Sequence, residues 1–149
     1  MIMLTIDTAT GTDLDAIMEL EAAGFPVGER WSRDSWQHQL SHPSLAVLAA
    51  RDDRLRGVIA LRIGPDLCDL DRVIVDPGSR RRGIARTLVA AGLRLAANNG
   101  VPEMILEVRS DNAPAIALYR SYRFEAINVR SNYYGPGRDA LIMKRETHE

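Results

Sequence analysis

The stretch Arg80-Arg81-Arg82-Gly83-Ile84-Ala85 joins a predicted strand to a predicted helix. The strand, residues 67–75, runs into Asp76-Pro77-Gly78, which is typical of a turn. After the stretch, apolar residues recur at the spacing of an amphipathic helix that ends at Asn98-Asn99-Gly100. Gly83 is therefore expected to open a helix whose free N–H groups, together with the arginines, bind phosphate oxygens. The alternative is a solvated basic turn that only caps a core helix.

The composition predicts one globular domain over residues 1–149, because 46% hydrophobic residues can build one core in a chain that is short for two. No apolar run reaches the length of a membrane span and no leader is apparent, so we expect a cytoplasmic protein that does not bind membranes. Cys68 is the single cysteine and shows no metal-ligand spacing with the histidines, so neither a disulfide nor a metal is expected. Cys68 could act as a nucleophile, although a cysteine on a strand is usually a small core residue.

Charge is distributed unevenly along the chain. Residues 1–70 carry 6 basic and 11 acidic side chains, whereas residues 71–149 carry 13 and 9. The basic excess is concentrated in five arginines: Arg72, Arg80, Arg81, Arg82 and Arg86. Few aromatic residues lie among them, so a compact polyphosphate ligand is favoured over direct binding of nucleic acid.

Turn and cap residues divide the chain into seven predicted strands and four predicted helices. The strands are expected at residues 4–8, 44–50, 55–63, 67–75, 104–108, 124–130 and 140–144. The helices are expected between Thr12 and Gly24, between Ser32 and His42, from Gly83 to Asn98-Asn99-Gly100, and over residues 115–121 after a cap at Asp111 or Asn112. Residues 146–149 are expected to fray.

Glu107 interrupts an otherwise apolar strand. With a period of two, it lies on the face opposite Leu106 and Val108. The carboxylate is either catalytic or an exposed charge paired with Arg109. Tyr119, on the following helix, can point back toward the sheet.

Two aromatic regions also allow two interpretations. Trp31 and Trp36 can seal the core, or the loop from Phe25 to Trp31 can form the wall of a substrate site. Tyr133 and Tyr134 can pack within their hairpin or line a groove for an extended peptide. In the second interpretation, the acceptor substrate contacts Phe25, Trp31, Tyr133 and Tyr134.

Together the motifs resemble the GNAT superfamily of N-acetyltransferases over essentially the whole chain. Residues 80–85 match its acetyl-CoA signature, (Q/R)-x-x-G-x-(G/A), between a strand and a helix. Residues 106–109, 112–119 and 132–134, with Phe25-Pro26 and Trp31-Ser32, look like the RimI-type ribosomal-protein alanine N-acetyltransferases. The resemblance implies an α+β, three-layer fold with a mixed, mostly antiparallel sheet of about seven strands flanked by four helices.

The resemblance also implies the roles of individual residues. Glu107 would accept a proton from the acceptor amine, whose reference pKa is about 8, and Tyr119 would donate one to the departing thiolate. Acetyl-CoA would contact Val73, Ile74, Val75, Arg80, Arg81, Arg82, Gly83, Ile84, Ala85, Arg86 and Asn112. The family usually has glycine where this chain has Arg123, so Arg123 must adopt a left-handed conformation or reshape the turn.

We therefore expect an acetyl-CoA-dependent enzyme, a monomer or weak dimer, that acetylates the amino terminus of a protein. The RimI-type resemblance implies a ribosomal protein as the acceptor. One alternative is acetylation of a small-molecule amine on the same fold. Another is a catalytically silent acyl-CoA-binding module, which the presence of both Glu107 and Tyr119 disfavours.

Overall fold

The computed structural model describes residues 3–80 and 82–148. Its strands are β1 (Thr5–Thr8), β2 (Leu45–Arg51), β3 (Leu55–Ile63), β4 (Leu67–Val75), β5 (Glu103–Arg109), β6 (Glu125–Arg130) and β7 (Ala140–Glu146). Its helices of more than one turn are α1 (Leu14–Gly24), α2 (Arg33–Ser41), α3 (Ile84–Asn98) and α4 (Ala113–Ser121). None of the described helices is long and apolar enough to cross a membrane.

The strands form one seven-stranded sheet in the order β1-β2-β3-β4-β5-β7-β6. Neighbours are antiparallel except β4 and β5, which are parallel and pair only from Leu67 with Glu103 to Leu70 with Leu106. Beyond that point β4 continues to Val75 and β5 to Arg109, so the two strands part. We call the gap between residues 71–75 and 107–109 the β4–β5 wedge. The predicted mixed, mostly antiparallel sheet is confirmed.

A bulge in β4 changes which side of the sheet its residues face. Leu70 pairs with Leu61 of β3 and Arg72 with the adjacent Ala60, so that Asp71 is an extra residue. Before the bulge, Leu70 packs in the apolar cluster that contains α3. After the bulge, Val73 packs against that same cluster. In a regular strand, residues 70 and 73 would face opposite sides of the sheet, so the bulge has reversed the alternation. Arg72 and Ile74 therefore face the side covered by α1 and α2.

The helices cover both faces of the sheet. One apolar cluster contains the buried residues of α3 together with Met104, Leu106 and Val108 of β5. The other contains Ile17 of α1 and Trp36 of α2. Cys68 is fully buried in the first cluster, and burial raises the pKa of its thiol to about 12, so the nucleophile alternative for Cys68 is wrong.

The ends of the helices follow the predicted signals. Ser32 accepts a hydrogen bond from the Ser35 backbone N–H at 3.1 Å and so caps α2. Asn112, not Asp111, caps α4 by the same type of bond to Ala115 at 3.3 Å. Arg123 adopts the left-handed conformation, with φ 68°, after α4.

The carboxyl end differs from the prediction of fraying. β7 extends to Glu146, and Thr147 is buried. The Thr147 backbone N–H donates to the Pro102 carbonyl at 2.9 Å, so residues 146–147 are held by the turn before β5. The expectation for residue 149 lies outside the described residues.

Candidate active site

A cavity of about 1020 Å³ opens on the α1–α2 side of the sheet, where β4, β5 and the β6–β7 loop meet. Its wall includes Trp31, Asp69, Asp71, Glu107, Tyr133 and Tyr134. The fold thus brings Glu107 together with three of the four aromatic residues predicted to contact the acceptor. Phe25, the fourth, lies behind this wall against Arg72.

Glu107 lies on β5 with its side chain in the cavity wall, where 30% of it is exposed. Its Oε1 atom is 3.2 Å from a guanidinium nitrogen of Arg130, at the end of β6. The nearby Glu107 carboxylate is the main cause of a raised pKa of the Tyr133 phenol. Arg109 instead forms ion pairs of 3.1 and 3.2 Å with two other carboxylates. The alternative in which Glu107 pairs with Arg109 is therefore wrong.

Two further carboxylates lie in the same wall. Asp69 and Asp71 of β4 line the cavity, and burial is the main reason that the pKa of each is raised. Arg62 partly offsets this effect through contacts of 3.1 Å with Asp71 and 4.0 Å with Asp69. The wall of the cavity thus combines three carboxylates with three arginines, Arg62, Arg72 and Arg130.

The Trp31 side of the cavity is fixed by a buried carboxylate. Glu21 of α1 is fully buried and accepts hydrogen bonds from the Trp36 indole at 2.8 Å and from the Trp31 backbone N–H at 2.9 Å. It also pairs with Arg72 at 2.9 Å. The Arg72 guanidinium lies 3.8 Å from the ring centroid of Phe25 and 4.6 Å from that of Trp31. These contacts tie the loop from Phe25 to Trp31 to β4, directly after the bulge.

Tyr119 lies on the other side of the sheet from Glu107. Its side chain is buried in the α3 cluster with Leu106, and its ring packs edge-on against Phe124 with centroids 5.8 Å apart. Burial, and to a lesser degree the nearby Tyr134, raise the pKa of the phenol to about 12. Tyr119 therefore keeps its proton near neutral pH and can act only as a donor there.

The described arginines around the start of α3 are not all free to bind a ligand. Gly83 has φ 73° and precedes α3, and a Cβ placed on it would meet no atom within 4 Å. The N–H groups of the first turn of α3 precede the first intrahelical bond, which Thr87 donates to Gly83. Arg80 is exposed, but Arg82 pairs with Asp52 at 3.3 Å. Arg81 lies outside the described residues.

The remaining residues predicted to contact acetyl-CoA flank the wedge. Residues 73–75 pair with β3 on one edge, and within the described chain no strand pairs with their other edge, which faces the wedge. Arg86 on α3 donates to the Ser121 hydroxyl of α4 at 2.9 Å and lies over the Tyr122 ring. Ile84 is buried against the sheet, and Asn112 caps α4.

Two residues at this site, Glu21 and Arg130, were not predicted, whereas Arg72, which was grouped with the arginines favouring a polyphosphate ligand, pairs with Glu21 instead. Glu21 could have been found from the sequence, because it continues the helical spacing of the buried residues in α1. A carboxylate on a buried face needs hydrogen-bond or ionic partners. Arg130 carries no comparable local signal. No group of three or more His, Cys, Asp or Glu side chains within residues 3–80 and 82–148 is placed to hold a metal ion.

Comparisons with known proteins agree with this architecture. A model of the acetyltransferase (GNAT) family matches residues 14–124. The chain is 34% identical over 146 residues to the ribosomal protein bS18-alanine N-acetyltransferase of Salmonella typhimurium, covering 95% of this chain and 96% of that one. It is 36% identical over 149 residues to an uncharacterized protein of Mycobacterium leprae, of which it spans only 41%.

Among solved structures, the fold is similar to that of the ribosomal-protein-S18-alanine N-acetyltransferase from Escherichia coli. The TM-score is 0.89 at 28% sequence identity, covering 99% of this chain and 96% of that chain. The resemblance inferred from the motifs, to the superfamily and to its RimI type, is confirmed. Enzymes of this family use acetyl-CoA as the acetyl donor. The chain therefore belongs to the acetyltransferase (GNAT) family and is an N-acetyltransferase.

Proposed function

We propose that this enzyme acetylates the α-amino group at the amino terminus of a ribosomal protein that begins with alanine. The relatives with this activity in their names support the acceptor class. The observation that carries the proposal is the position of Glu107 in a cavity between Trp31 and the tyrosines of the β6–β7 loop. A volume of about 1020 Å³ is at the upper limit of roughly 300–1,000 Å³ for small-molecule pockets, which favours several residues of an extended peptide.

Acetyl-CoA would bind along the β4–β5 wedge and at the start of α3. The free N–H groups before the first bond of α3 would receive its diphosphate, and the open space beside Gly83 would let the phosphates approach the backbone. The unpaired edge of residues 73–75 would hydrogen-bond the amide groups of its arm. Arg82 would exchange its contact with Asp52, partly or fully, for a phosphate oxygen.

Acetyl-CoA supplies a thioester carbonyl for direct attack by the acceptor amine. Glu107, directly or through a water, takes the proton that the ammonium must lose before it can attack. A backbone N–H of residues 73–75 would polarise the thioester oxygen. As the carbon–sulfur bond breaks, Tyr119 donates its proton to the thiolate, and the amide nitrogen releases its remaining extra proton to solvent. Burial raises the proton affinity of a thiolate as well as that of the phenol, so the raised pKa of Tyr119 does not prevent this transfer.

In this proposal residues 1–149 act as one domain in the cytoplasm. The test uses the purified chain with acetyl-CoA and three acceptors: a peptide that begins with alanine, the same peptide with a blocked α-amine and an added lysine, and spermidine. Mass spectrometry is expected to find an acetyl group only on the free α-amine. Preferential acetylation of spermidine would instead support a small-molecule acceptor. Binding of acetyl-CoA without any transfer would support the silent module.

A further inference from the structure

Glu107 does not stand alone in the cavity wall. Asp69 and Asp71 lie close enough that the charge of Glu107 contributes to the raised pKa of both. Arg62 pairs with the two aspartates. Glu107 therefore needs a cation of its own, because otherwise repulsion from two neighbouring carboxylates would turn its side chain away from them.

Arg130 supplies that cation from two strands away. In the register of the sheet, Glu107 lies opposite Ile142 of β7, and Ile142 lies opposite Asn128 of β6. Arg130 follows two residues later and so shares this face. Arg130 pairs with Ala140 of β7, and the small side chain of Ala140 leaves room for the guanidinium to pass over β7 toward β5. The crossing ends at Glu107 Oε1, 3.2 Å away.

The hairpin that carries Arg130 is held by its own hydrogen bonds. The Asn132 backbone N–H donates to the Asp139 carboxylate at 2.9 Å, and the Asn132 side chain accepts from the Gly137 N–H at 2.8 Å. The Arg130 guanidinium also lies 5.5 Å from the ring centroid of Tyr133 on the same hairpin. The contact on the Glu107 carboxylate thus comes from a segment that its own hydrogen bonds hold in place.

We propose that Arg130 is a positioning residue for acetyl transfer. It holds the Glu107 carboxylate by Oε1 and leaves Oε2 turned to the cavity to receive the proton of the acceptor. This inference rests on the proposed function of Glu107. Arg130 lines the acceptor cavity and lies outside the proposed acetyl-CoA site, so its loss is expected to affect turnover rather than the binding of acetyl-CoA.

The test compares Arg130→Met, which keeps an unbranched stem without charge, with Arg130→Lys, which keeps the cation. With the alanine peptide and acetyl-CoA, Arg130→Met is expected to lower kcat by about 10-fold with little change in the KM of acetyl-CoA. Arg130→Lys is expected to recover most of the lost kcat, because the charge is retained. Arg138→Met, an exposed arginine on the same hairpin, is the matched control and should match the wild type.

Equal kcat values for the Met and Lys variants would overturn the charge-based role, as would wild-type kcat in Arg130→Met. The position of the Glu107 side chain gives a readout that does not depend on the acceptor. A crystal structure of Arg130→Met is expected to show Glu107 turned away from Asp69 and Asp71, and an unchanged Glu107 would overturn the proposal. If the wild type acetylates no α-amine while Glu107 moves in this variant, the proposed function fails and the positioning contact stands.

Discussion

Replacing Glu21 with glutamine is expected to lower the free energy of unfolding by about 3 kcal/mol. The Glu21 side chain is fully buried and uses both oxygens, Oε1 for the Trp36 indole and Oε2 for the Trp31 backbone and Arg72. Glutamine has the same shape but only one oxygen. Its NH₂ group must therefore face a buried donor, either the Trp36 indole or the Trp31 N–H with Arg72.

The magnitude follows from two losses. One buried donor is left unsatisfied, which costs roughly 1–3 kcal/mol. Arg72 also loses its buried counterion, and breaking such a pair on one side costs roughly 3–5 kcal/mol, a range that already includes the unsatisfied donor. The lower part of this range applies, because 13% of the Arg72 side chain remains exposed and its other nitrogen still donates to the Glu29 carbonyl at 3.2 Å.

Urea denaturation followed by tryptophan fluorescence measures this change, and the melting temperature should fall by about 6–12 °C. Glu19→Gln, at an exposed position on the same helix, is the control and should change stability by less than about 0.5 kcal/mol. Combining Glu21→Gln with Arg72→Met removes the stranded charge. The double variant is therefore expected to lose less stability than the sum of the two single variants.

A loss below about 1 kcal/mol for Glu21→Gln would refute this reasoning, since it would mean that the charge of Glu21 is not needed by Arg72 and the two tryptophans. Additive losses in the double variant would refute the coupling of Glu21 with Arg72. Because Glu21 also holds the Trp31 backbone, the KM of the acceptor peptide should rise in Glu21→Gln under conditions where the protein remains folded.

Three other predictions concern the reaction and the backbone. Glu107→Gln and Tyr119→Phe are each expected to lower kcat by about 100-fold or more without weakening acetyl-CoA binding, and wild-type turnover in either variant would remove that residue from the mechanism. Gly83→Asp is expected to abolish acetyl-CoA binding in calorimetry, because a carboxylate would enter the space for the diphosphate. Gly83→Ala is the control: it adds only backbone strain and should keep most of the affinity for acetyl-CoA. Equal affinities of the wild type and the Asp variant would mean that the diphosphate binds elsewhere. Arg123→Gly is expected to stabilise the protein by about 1 kcal/mol, because glycine adopts the left-handed conformation of this residue without strain. Arg123→Ala keeps the strain and should not stabilise the protein. Equal melting temperatures for the two variants would contradict this prediction.

The elements with strong local signals were predicted with correct bounds. β3 and β4 begin and end at the predicted residues, and α3 follows Gly83 and ends at Asn98. Turn residues and helix caps act over a few residues, so the sequence shows them directly. Thr147 is held by Pro102, which is distant in the chain, and local reasoning therefore predicted a frayed end.

The site was predictable only in part. The face of Glu107 follows from the period of two, because the pairing of β5 with β7 is regular from Glu103 to Arg109. The contact of Glu107 with Arg130 depends on the spatial order β5-β7-β6, which differs from the order along the chain. The alternative partner, Arg109, was the nearest arginine in sequence, and the structure shows that sheet neighbours decided the pairing instead.

The extra residue in β4 makes the length of this strand as constrained as its composition. Deleting one residue between Asp69 and Arg72 would turn the following residues over, so that Ile74 would exchange sides with Val73. Arg72 would then leave Glu21 and enter the apolar layer beneath α3. Side-chain changes at Asp71 should thus be far easier to accommodate than any insertion or deletion beside it, and variants of this enzyme with altered acceptor preference are best sought by substitution there.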